Sequence, residues 1–154
     1  MGDFAVGHDA KAYYNSGTHA SATWVEIAQA MDVSVDLSVG EADVSTRETN
    51  FKLTGRGLVD ATINIGYLHT LGTDSVFTAL LNMSDLGTFA ATQLAIMDQA
   101  IATSGAKGLR AFCIATGLPQ DQALEEGIKY DFSFKPTRHE ESSAIVVPDW
   151  YVVP

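Results

Sequence analysis

The segment Met31-Asp-Val-Ser-Val-Asp-Leu-Ser-Val39 decides the fold class. Its apolar residues alternate with serine and aspartate, a period of two that is typical of a β-strand with one buried and one solvated face. The strand runs directly into Gly40-Glu-Ala-Asp-Val-Ser-Thr-Arg47, which is dense in charge and predicts a polar loop. A strand, a loop and a second alternating strand together form a building block of β proteins.

The second alternating strand follows the loop. Its apolar positions would share one face, and they are Val59, Ala61, Ile63, Ile65 and Tyr67. We expect this strand to pair antiparallel with residues 31–39, because both carry one apolar and one polar face. Residues 50–53 predict a short strand before it, and Gly55-Arg-Gly57 predicts a flexible turn.

The other elements are predicted from the same kinds of pattern. Residues 72–87 have apolar side chains at helical spacing, with Thr73 or Asp74 placed to cap the first turn. Residues 117–127 predict a loop. Further strands are predicted at residues 10–14, 24–27, 89–97, 109–116 and 128–135, the first two as a hairpin. The expected fold class is mainly β, a two-sheet β-sandwich or barrel with one flanking α-helix.

The chain of 154 residues is long enough for one domain, which we place at residues 1–154. Residues 136–154 form either a C-terminal extension or a final strand. This tail is apolar, and its exposed side chains would favour aggregation unless something covers them. We expect docking on a neighbouring chain more than completion of the chain's own sheet, through Ile145, Val147, Trp150 and Val152.

Composition excludes several classes of function. Nineteen acidic and nine basic residues give a net charge of −10, which disfavours nucleic-acid binding by charge neutralisation. The single cysteine, Cys113, cannot form an internal disulfide. No apolar run approaches the roughly 18 residues that span a bilayer, and the first residues lack the pattern of a signal peptide, so we expect a soluble protein.

No motif predicts a catalytic, metal or cofactor site. The four histidines, at positions 8, 19, 69 and 139, have no ligand spacing and are expected at the surface or in loops. Cys113 lies in an apolar strand and is expected to be a buried small hydrophobe. Glu41, Asp43 and Glu48 lack the residue order of a calcium loop. We therefore expect no enzyme and no cofactor.

The order of segments resembles the major tail tube proteins of long-tailed bacteriophages. The resemblance covers nearly the whole chain. It includes the early Ala-Tyr-Tyr strand, the strand centred on Trp24, the segment 32–37, the loop Ala42-Asp-Val-Ser-Thr-Arg47, Gly57-Leu-Val-Asp60, the single helix with Phe77, the strand with Leu94 and Ile96, the loop Leu124-Glu-Glu126 and the final Phe132-Ser-Phe-Lys-Pro136. The aromatic end Asp149-Trp-Tyr-Val-Val153 departs from the family's pattern.

The resemblance implies a structural role in a tail. Six copies would close into a ring, and rings would stack into a hollow tube through which DNA passes without specific binding. The implied partners are other copies of the chain, the tape measure, the tail terminator and the baseplate. The implied location is the virion tail, after assembly in the host cytoplasm. The resemblance assigns subunit contacts to the charged loop, with Glu41, Asp43, Ser45, Thr46, Arg47 and Glu48.

Three alternatives belong to other classes. The same ring could serve a secretion-system tube, which the sequence separates poorly from a phage tube. A closed β-barrel of this size could bind a small apolar ligand. An unidentified hydrolase is the enzymatic alternative, and no motif supports it.

Overall fold

The computed structural model describes residues 7–48, 50–84, 90–122, 124 and 126–154. These residues form eleven strands and one helix. The elements are β1 (Lys11–Asn15), β2 (Trp24–Glu26), β3 (Ala30–Asp43), β4 (Thr54–Leu68), α1 (Ser75–Asn82), β5 (Thr92–Met97), β6 (Lys107–Gly117), β7 (Gln120–Asp121), β8 (Lys129–Pro136), β9 (His139–Glu141), β10 (Ala144–Val146) and β11 (Asp149–Val152). The strand predicted from residue 89 begins outside the described residues and is seen from Thr92.

Nine of the strands form one antiparallel sheet. Seven follow the order β2-β1-β5-β6-β8-β4-β3, while β11 pairs with β6 and β7 pairs with β8. Strands β9 and β10 form a separate two-stranded ribbon. The large sheet curls, because Val33 on β3 lines the same cleft of about 400 Å³ as Ala12 on β1 and Ile96 on β5. The mainly β prediction with one flanking helix is confirmed, with nine strands in one curled sheet and two in a separate ribbon.

The curled sheet and the helix enclose the main core. Tyr67, Phe132 and Phe134 come from the central strands and are at most 1% exposed. Leu80 of α1 packs against them and is fully buried.

Helix α1 begins where the sequence predicts. Asp74 is the N-cap, and its carboxylate accepts a hydrogen bond from the Phe77 amide at 3.0 Å. The same carboxylate accepts a 2.6 Å hydrogen bond from the Tyr67 hydroxyl. Burial, together with this hydrogen bond, raises the pKa of Tyr67. The cap therefore attaches the helix to β4 as well as starting it.

The strands β3 and β4 form a hairpin that is longer than predicted. The cross-strand pairs run from Ala30 opposite Tyr67 to Asp43 opposite Thr54. Residues 50–53, predicted as a strand, lie in the connecting loop, and Gly55-Arg-Gly57, predicted as a turn, lies inside β4. Gly57 lies in a bulge and Gly55 pairs with Ala42, so neither glycine forms a turn, and residue composition alone does not distinguish these cases.

The bulge lies where Gly40 faces Gly57 and Leu58. The register shifts between Val39 and Glu41, so that two residues of β4 oppose one residue of β3. A Cβ atom on Gly57 would come within 2.8 Å of the Gly40 carbonyl. Only glycine allows this approach, and a bulge bends the hairpin and increases its twist.

We expect Gly57→Ala to destabilise the hairpin by about 1–3 kcal/mol, because the new methyl group collides with backbone atoms. The thermal unfolding midpoint of the isolated subunit should fall by roughly 2–4 °C per kcal/mol. Gly66→Ala on the same strand is the matched control, since its Cβ would meet no atom closer than 3.5 Å. Equal midpoints for the two variants would show that the close approach carries no cost.

The C-terminal tail corrects one prediction. Its backbone completes the chain's own sheet, because β11 pairs antiparallel with β6 from Asp149 opposite Arg110 to Val152 opposite Lys107. We expected docking on a neighbour instead. The local pattern shows only that the segment is apolar, whereas its partner strand lies about 40 residues earlier in the chain.

Two predictions about single residues have different outcomes. Cys113 is fully buried, as predicted, and burial raises the pKa of its thiol to about 12. Three histidines are more enclosed than predicted. His139 stacks on Phe112 with 3.7 Å between ring centroids, His69 lies 4.5 Å from the Phe77 ring, and His19 is half-buried. Their flat rings pack against aromatic side chains, which isolated positions in the sequence do not reveal.

Candidate assembly surfaces

The outer part of the β3–β4 hairpin extends beyond the body of the sheet. The last pair between β4 and β8 joins Ile63 to Phe134. Beyond it, β4 pairs only with β3, through Thr62 opposite Asp36 and the pairs that follow. We call residues 36–62 the arm. Its β3 strand also ends the strand order, so the outer edge of β3 has no ladder partner among the described residues.

One face of the arm is apolar and uncovered. At the base of the hairpin Val35 lies opposite Ile63, which is fully buried in the core. The same face continues outward with Leu37, Val39 and Val59, whose exposures are 52%, 53% and 46%. The alternation of apolar and polar residues therefore continues along the hairpin beyond the part whose apolar side chains are buried in the core. An apolar face left open on a folded domain is a surface suited to contact with another protein.

The tip of the arm gathers the loop residues that we predicted as contacts. Glu41 and Asp43 lie in β3 rather than in a loop, and Ser45, Thr46, Arg47 and Glu48 follow in the turn. All six are exposed. Whether they touch another subunit remains a prediction.

Side-chain hydrogen bonds give the tip a defined shape. The Asp43 carboxylate accepts a 2.9 Å hydrogen bond from the Ser45 amide, and hydrogen bonds from Ser45 lower the pKa of this carboxyl group. The Leu53 amide donates to the Ser45 hydroxyl at 2.8 Å. The Val44 amide donates to the Leu53 carbonyl at 3.1 Å and closes the turn.

The opposite face of the hairpin is polar. Asn64 lies between Ser34 and Ser133, and its side-chain oxygen accepts a 2.9 Å hydrogen bond from the Ser133 hydroxyl. Lys135 contacts Asp60 at 3.1 Å. Strands β3, β4 and β8 together carry six carboxylates and three cations, and this face holds Asp36, Asp60 and Asp131 together with two lysines of β8.

The C-terminal segment presents a second apolar surface. Trp150 and Val152 lie on the outward side of β11 and are 61% and 53% exposed. Ile145 and Val147, which are 56% and 65% exposed, line a groove of about 320 Å³ beside the β9–β10 ribbon. These four residues lie on elements other than the arm, so the predicted contact residues fall into two separate sets. Their contact with a neighbour remains a prediction.

The inward side of β11 is attached firmly. Arg110 donates two hydrogen bonds to the Asp149 carboxylate, at 3.0 and 2.6 Å. The Arg110 guanidinium also lies 4.2 Å from the centre of the Tyr151 ring. Tyr151 and Val153 pack against the buried cluster formed by Tyr13, Ala95, Met97 and Ala106. No pattern in the sequence predicts that these residues of β11 contact Arg110 and the buried cluster.

The ribbon is joined to the first hairpin through Glu141. Its carboxylate accepts hydrogen bonds from the backbone amides of His19 at 2.7 Å and Ala20 at 3.1 Å. These backbone hydrogen bonds lower the pKa of Glu141. The carboxylate thus fixes the ribbon against the loop between β1 and β2.

We expect Glu141→Gln to reduce the hydrogen-exchange protection of the His19 and Ala20 amides, measured by NMR. Because the pKa of Glu141 is lowered on folding, its contribution is present above the ordinary glutamate pKa and is lost as the pH falls through the lowered value. Wild-type protection at these two amides should therefore decrease in acid. Glu140→Gln on the same strand is the control, and equal protection in both variants would contradict the assignment.

Two further findings concern the described residues only. They contain no group of three or more His, Cys, Asp or Glu side chains placed to hold a metal ion. None of their helices is long and apolar enough to cross a membrane.

Solved structures with the same fold are components of tails. A chain of the SPP1 tail tube matches with a TM-score of 0.70 and 13% identity, over 96% of this chain and 78% of that one. A chain from the tail of an empty gene transfer agent particle, determined with C6 symmetry, matches with a TM-score of 0.64 and 13% identity, over 92% and 97%. A chain of the anti-feeding prophage baseplate matches with a TM-score of 0.59 and 10% identity, over 99% of both chains.

These matches confirm the fold that the resemblance implied. The chain has the mainly β fold of subunits of assembled tails. More narrowly, it is the tail-tube fold, since the SPP1 tail tube shares it over nearly the full chain. No protein-family model matches the sequence, and no curated protein matches it.

Proposed function

We propose that the chain is a structural subunit of a phage-type tail tube and not an enzyme. The observation that carries this proposal is the arm, whose apolar face is left uncovered on a fold shared with the SPP1 tail tube. In a ring or a stack of rings, neighbouring copies would cover this face. The tail of the gene transfer agent, which has the same fold, was determined with C6 symmetry, and this supports a ring of six.

The sheet suits a contact that repeats around a ring. Strand β3 has an open outer edge, and the C-terminal segment carries its exposed apolar residues on other elements. A contact between two different surfaces is heterologous, and a heterologous contact closes into a ring when the rotation allows it. Pairing at the edge would also remove the aggregation hazard of a long exposed strand.

The charge supports passage of DNA through the ring. The polar face of β3, β4 and β8 carries Asp36, Asp60 and Asp131, of which Asp60 is paired with Lys135, and the net charge of the chain is −10. A lumen lined by carboxylates repels phosphates, so DNA would move through it without counterion exchange. Further partners would be the tape measure, the tail terminator and the baseplate. The site of action would be the virion tail, following assembly in the host cytoplasm.

Electron microscopy and light scattering of the purified protein test the proposal. We expect rings with a central hole, or tubes, to appear as the protein concentration rises. A protein that stays monomeric at high concentration, also in the presence of tail-assembly partners, would contradict it.

A second candidate is a tube subunit of a phage-derived secretion apparatus. The match to the anti-feeding prophage baseplate over 99% of both chains favours it. The two candidates share the ring and differ in cargo. Release of DNA from native particles that contain this chain supports the tail, and release of protein supports the secretion apparatus.

We expect Asp43→Ala and Arg47→Ala to impair tube growth while leaving the subunit folded. Both residues are exposed at the tip of the arm, where charges fix the register of a contact more than they add affinity. Circular dichroism should match the wild type, and tube length in electron micrographs should fall. Unfolding of either variant would place the tip in the scaffold of the domain instead.

A further inference from the structure

Two buried amide side chains, Asn15 and Gln93, lie beside the loop between β1 and β2. Asn15 is the last residue of β1 and Gln93 lies on β5, and they are 6% and 1% exposed. The Asn15 side-chain nitrogen donates to the Gln93 side-chain oxygen at 3.1 Å. A buried polar group is costly unless its hydrogen bonds are satisfied, so the direction of each hydrogen bond in this pair matters.

Backbone groups of the loop fix the orientation of Asn15. Its side-chain oxygen accepts hydrogen bonds from the amides of Gly17 and Thr23, at 2.8 and 2.9 Å. Its nitrogen donates to the Thr18 carbonyl at 2.9 Å. A backbone amide can only donate and a carbonyl can only accept, so the Asn15 side chain cannot be reversed. Its nitrogen therefore donates to the oxygen of Gln93, and the Gln93 nitrogen is left for another partner.

That partner is the ring of His19. The Gln93 side-chain nitrogen lies 3.0 Å from the Nδ1 atom of His19. Since the nitrogen can only donate, Nδ1 is the acceptor, and the neutral ring carries its proton on Nε2. A charged ring donates through both nitrogens, so its Nδ1 proton would point at the N–H group of Gln93. The hydrogen-bond network therefore accommodates only the neutral ring.

Titratable groups approach His19 from the ribbon and from β11. Glu141 and His139 lie on β9, and Asp149 of β11 lines the same groove as His19. The sheet faces the His19 ring with an amide from β5 and a phenyl ring from β6, and neither of these titrates. A carboxylate attracts a charged ring, whereas the amide N–H rejects it. Both effects would move a charged His19 ring away from the sheet and toward the ribbon.

We propose that His19 is a proton-operated latch between the sheet and the β9–β10 ribbon. Gln93 holds the neutral ring on the sheet, and a ring that gains a proton leaves Gln93 for the Glu141 carboxylate. His19 also lines the groove that contains Ile145 and Val147. Mild acid therefore changes the shape of the second candidate assembly surface. The inference concerns the folded subunit alone and does not depend on the proposed tube.

An NMR titration of the unassembled subunit from about pH 8 to about pH 5 tests the latch, because histidine is the side chain that ordinarily changes charge in this range. Glu141 stays ionised throughout, since its pKa is lowered from the ordinary glutamate value. As the His19 ring gains its proton, we expect the side-chain amide of Gln93 to lose at least about tenfold of its hydrogen-exchange protection. The methyl signals of Ile145 and Val147 should shift with the same midpoint.

Two variants show which histidine acts. In His19→Asn the side-chain oxygen replaces Nδ1 as the acceptor for Gln93 and gains no proton, so the protection of Gln93 and the methyl signals should stay constant over the titration. His139→Phe removes the second histidine near Glu141, keeps a flat ring on Phe112, and should titrate like the wild type.

Three results would overturn the latch. They are a wild type whose Gln93 amide stays protected down to about pH 5, a response that survives in His19→Asn, and a response that is lost in His139→Phe. None of them bears on the proposed tube, which is tested by assembly.

Discussion

Deletion of residues 138–154 is expected to destabilise the folded subunit itself, and not only its assembly. The deletion removes β11 from the edge of β6 and leaves the Arg110 guanidinium without Asp149. It also removes Tyr151 and Val153 from their buried cluster. Full burial of an apolar side chain contributes about 1.5–3 kcal/mol, so the loss of these two partly buried side chains removes up to about 3–6 kcal/mol from a domain stability of about 5–15 kcal/mol.

Urea unfolding measured by circular dichroism would show the effect as a large drop in the transition midpoint, or as a chain that does not fold. Two point variants on the same strand separate the roles of its two sides. Tyr151→Ala should cost about 2–3 kcal/mol of unfolding free energy, because the side chain packs against the core. Trp150→Ala should cost less than about 1 kcal/mol, because the side chain is 61% exposed. A truncated protein that stays folded with an unchanged midpoint would contradict the role assigned to β11.

The elements that the sequence predicts well are those whose signal is local. Alternation at residues 31–39 and 59–67 gave the β3–β4 pair, and the apolar spacing after Asp74 gave α1. Burial depends on a period of two in a strand and of about 3.6 in a helix, so the pattern is visible in a short window. The pairing of β11 with β6 depends instead on distant residues, such as Asp149 and Arg110, and no local pattern encodes it.

The candidate surfaces were predicted only in part, for a different physical reason. Alternation shows which face of a strand is apolar, but it does not show what covers that face. Leu37 and Val39 continue the pattern of Val35 and yet lie outside the core. The charged residues at the tip were identified as contacts from the resemblance, because a charged loop alone does not show whether it faces solvent or another subunit.

Replacement of the exposed apolar residues of the arm is expected to have the largest effect on assembly. The double variant Leu37→Ser with Val39→Ser removes two side chains of this face. In the wild-type subunit both side chains are already about half exposed. Their loss should therefore change the free energy of unfolding by less than about 1 kcal/mol. If a neighbour covers them in a ring or a tube, their loss removes about 3 kcal/mol from that contact, which corresponds to a roughly 100-fold rise in the critical concentration.

Two controls separate this effect from damage to the fold. Ile63→Ser lies on the same face but is fully buried, so it should lower the unfolding free energy by about 3 kcal/mol or more. Ser38→Ala lies between the two variant positions on the opposite face and should alter neither stability nor assembly. Sedimentation measures assembly and urea unfolding measures stability in all four proteins. If the double variant unfolds as easily as Ile63→Ser, the face is part of the subunit core. If it assembles like the wild type, the open face of the arm is not the contact, because the apolar area that would drive association is gone.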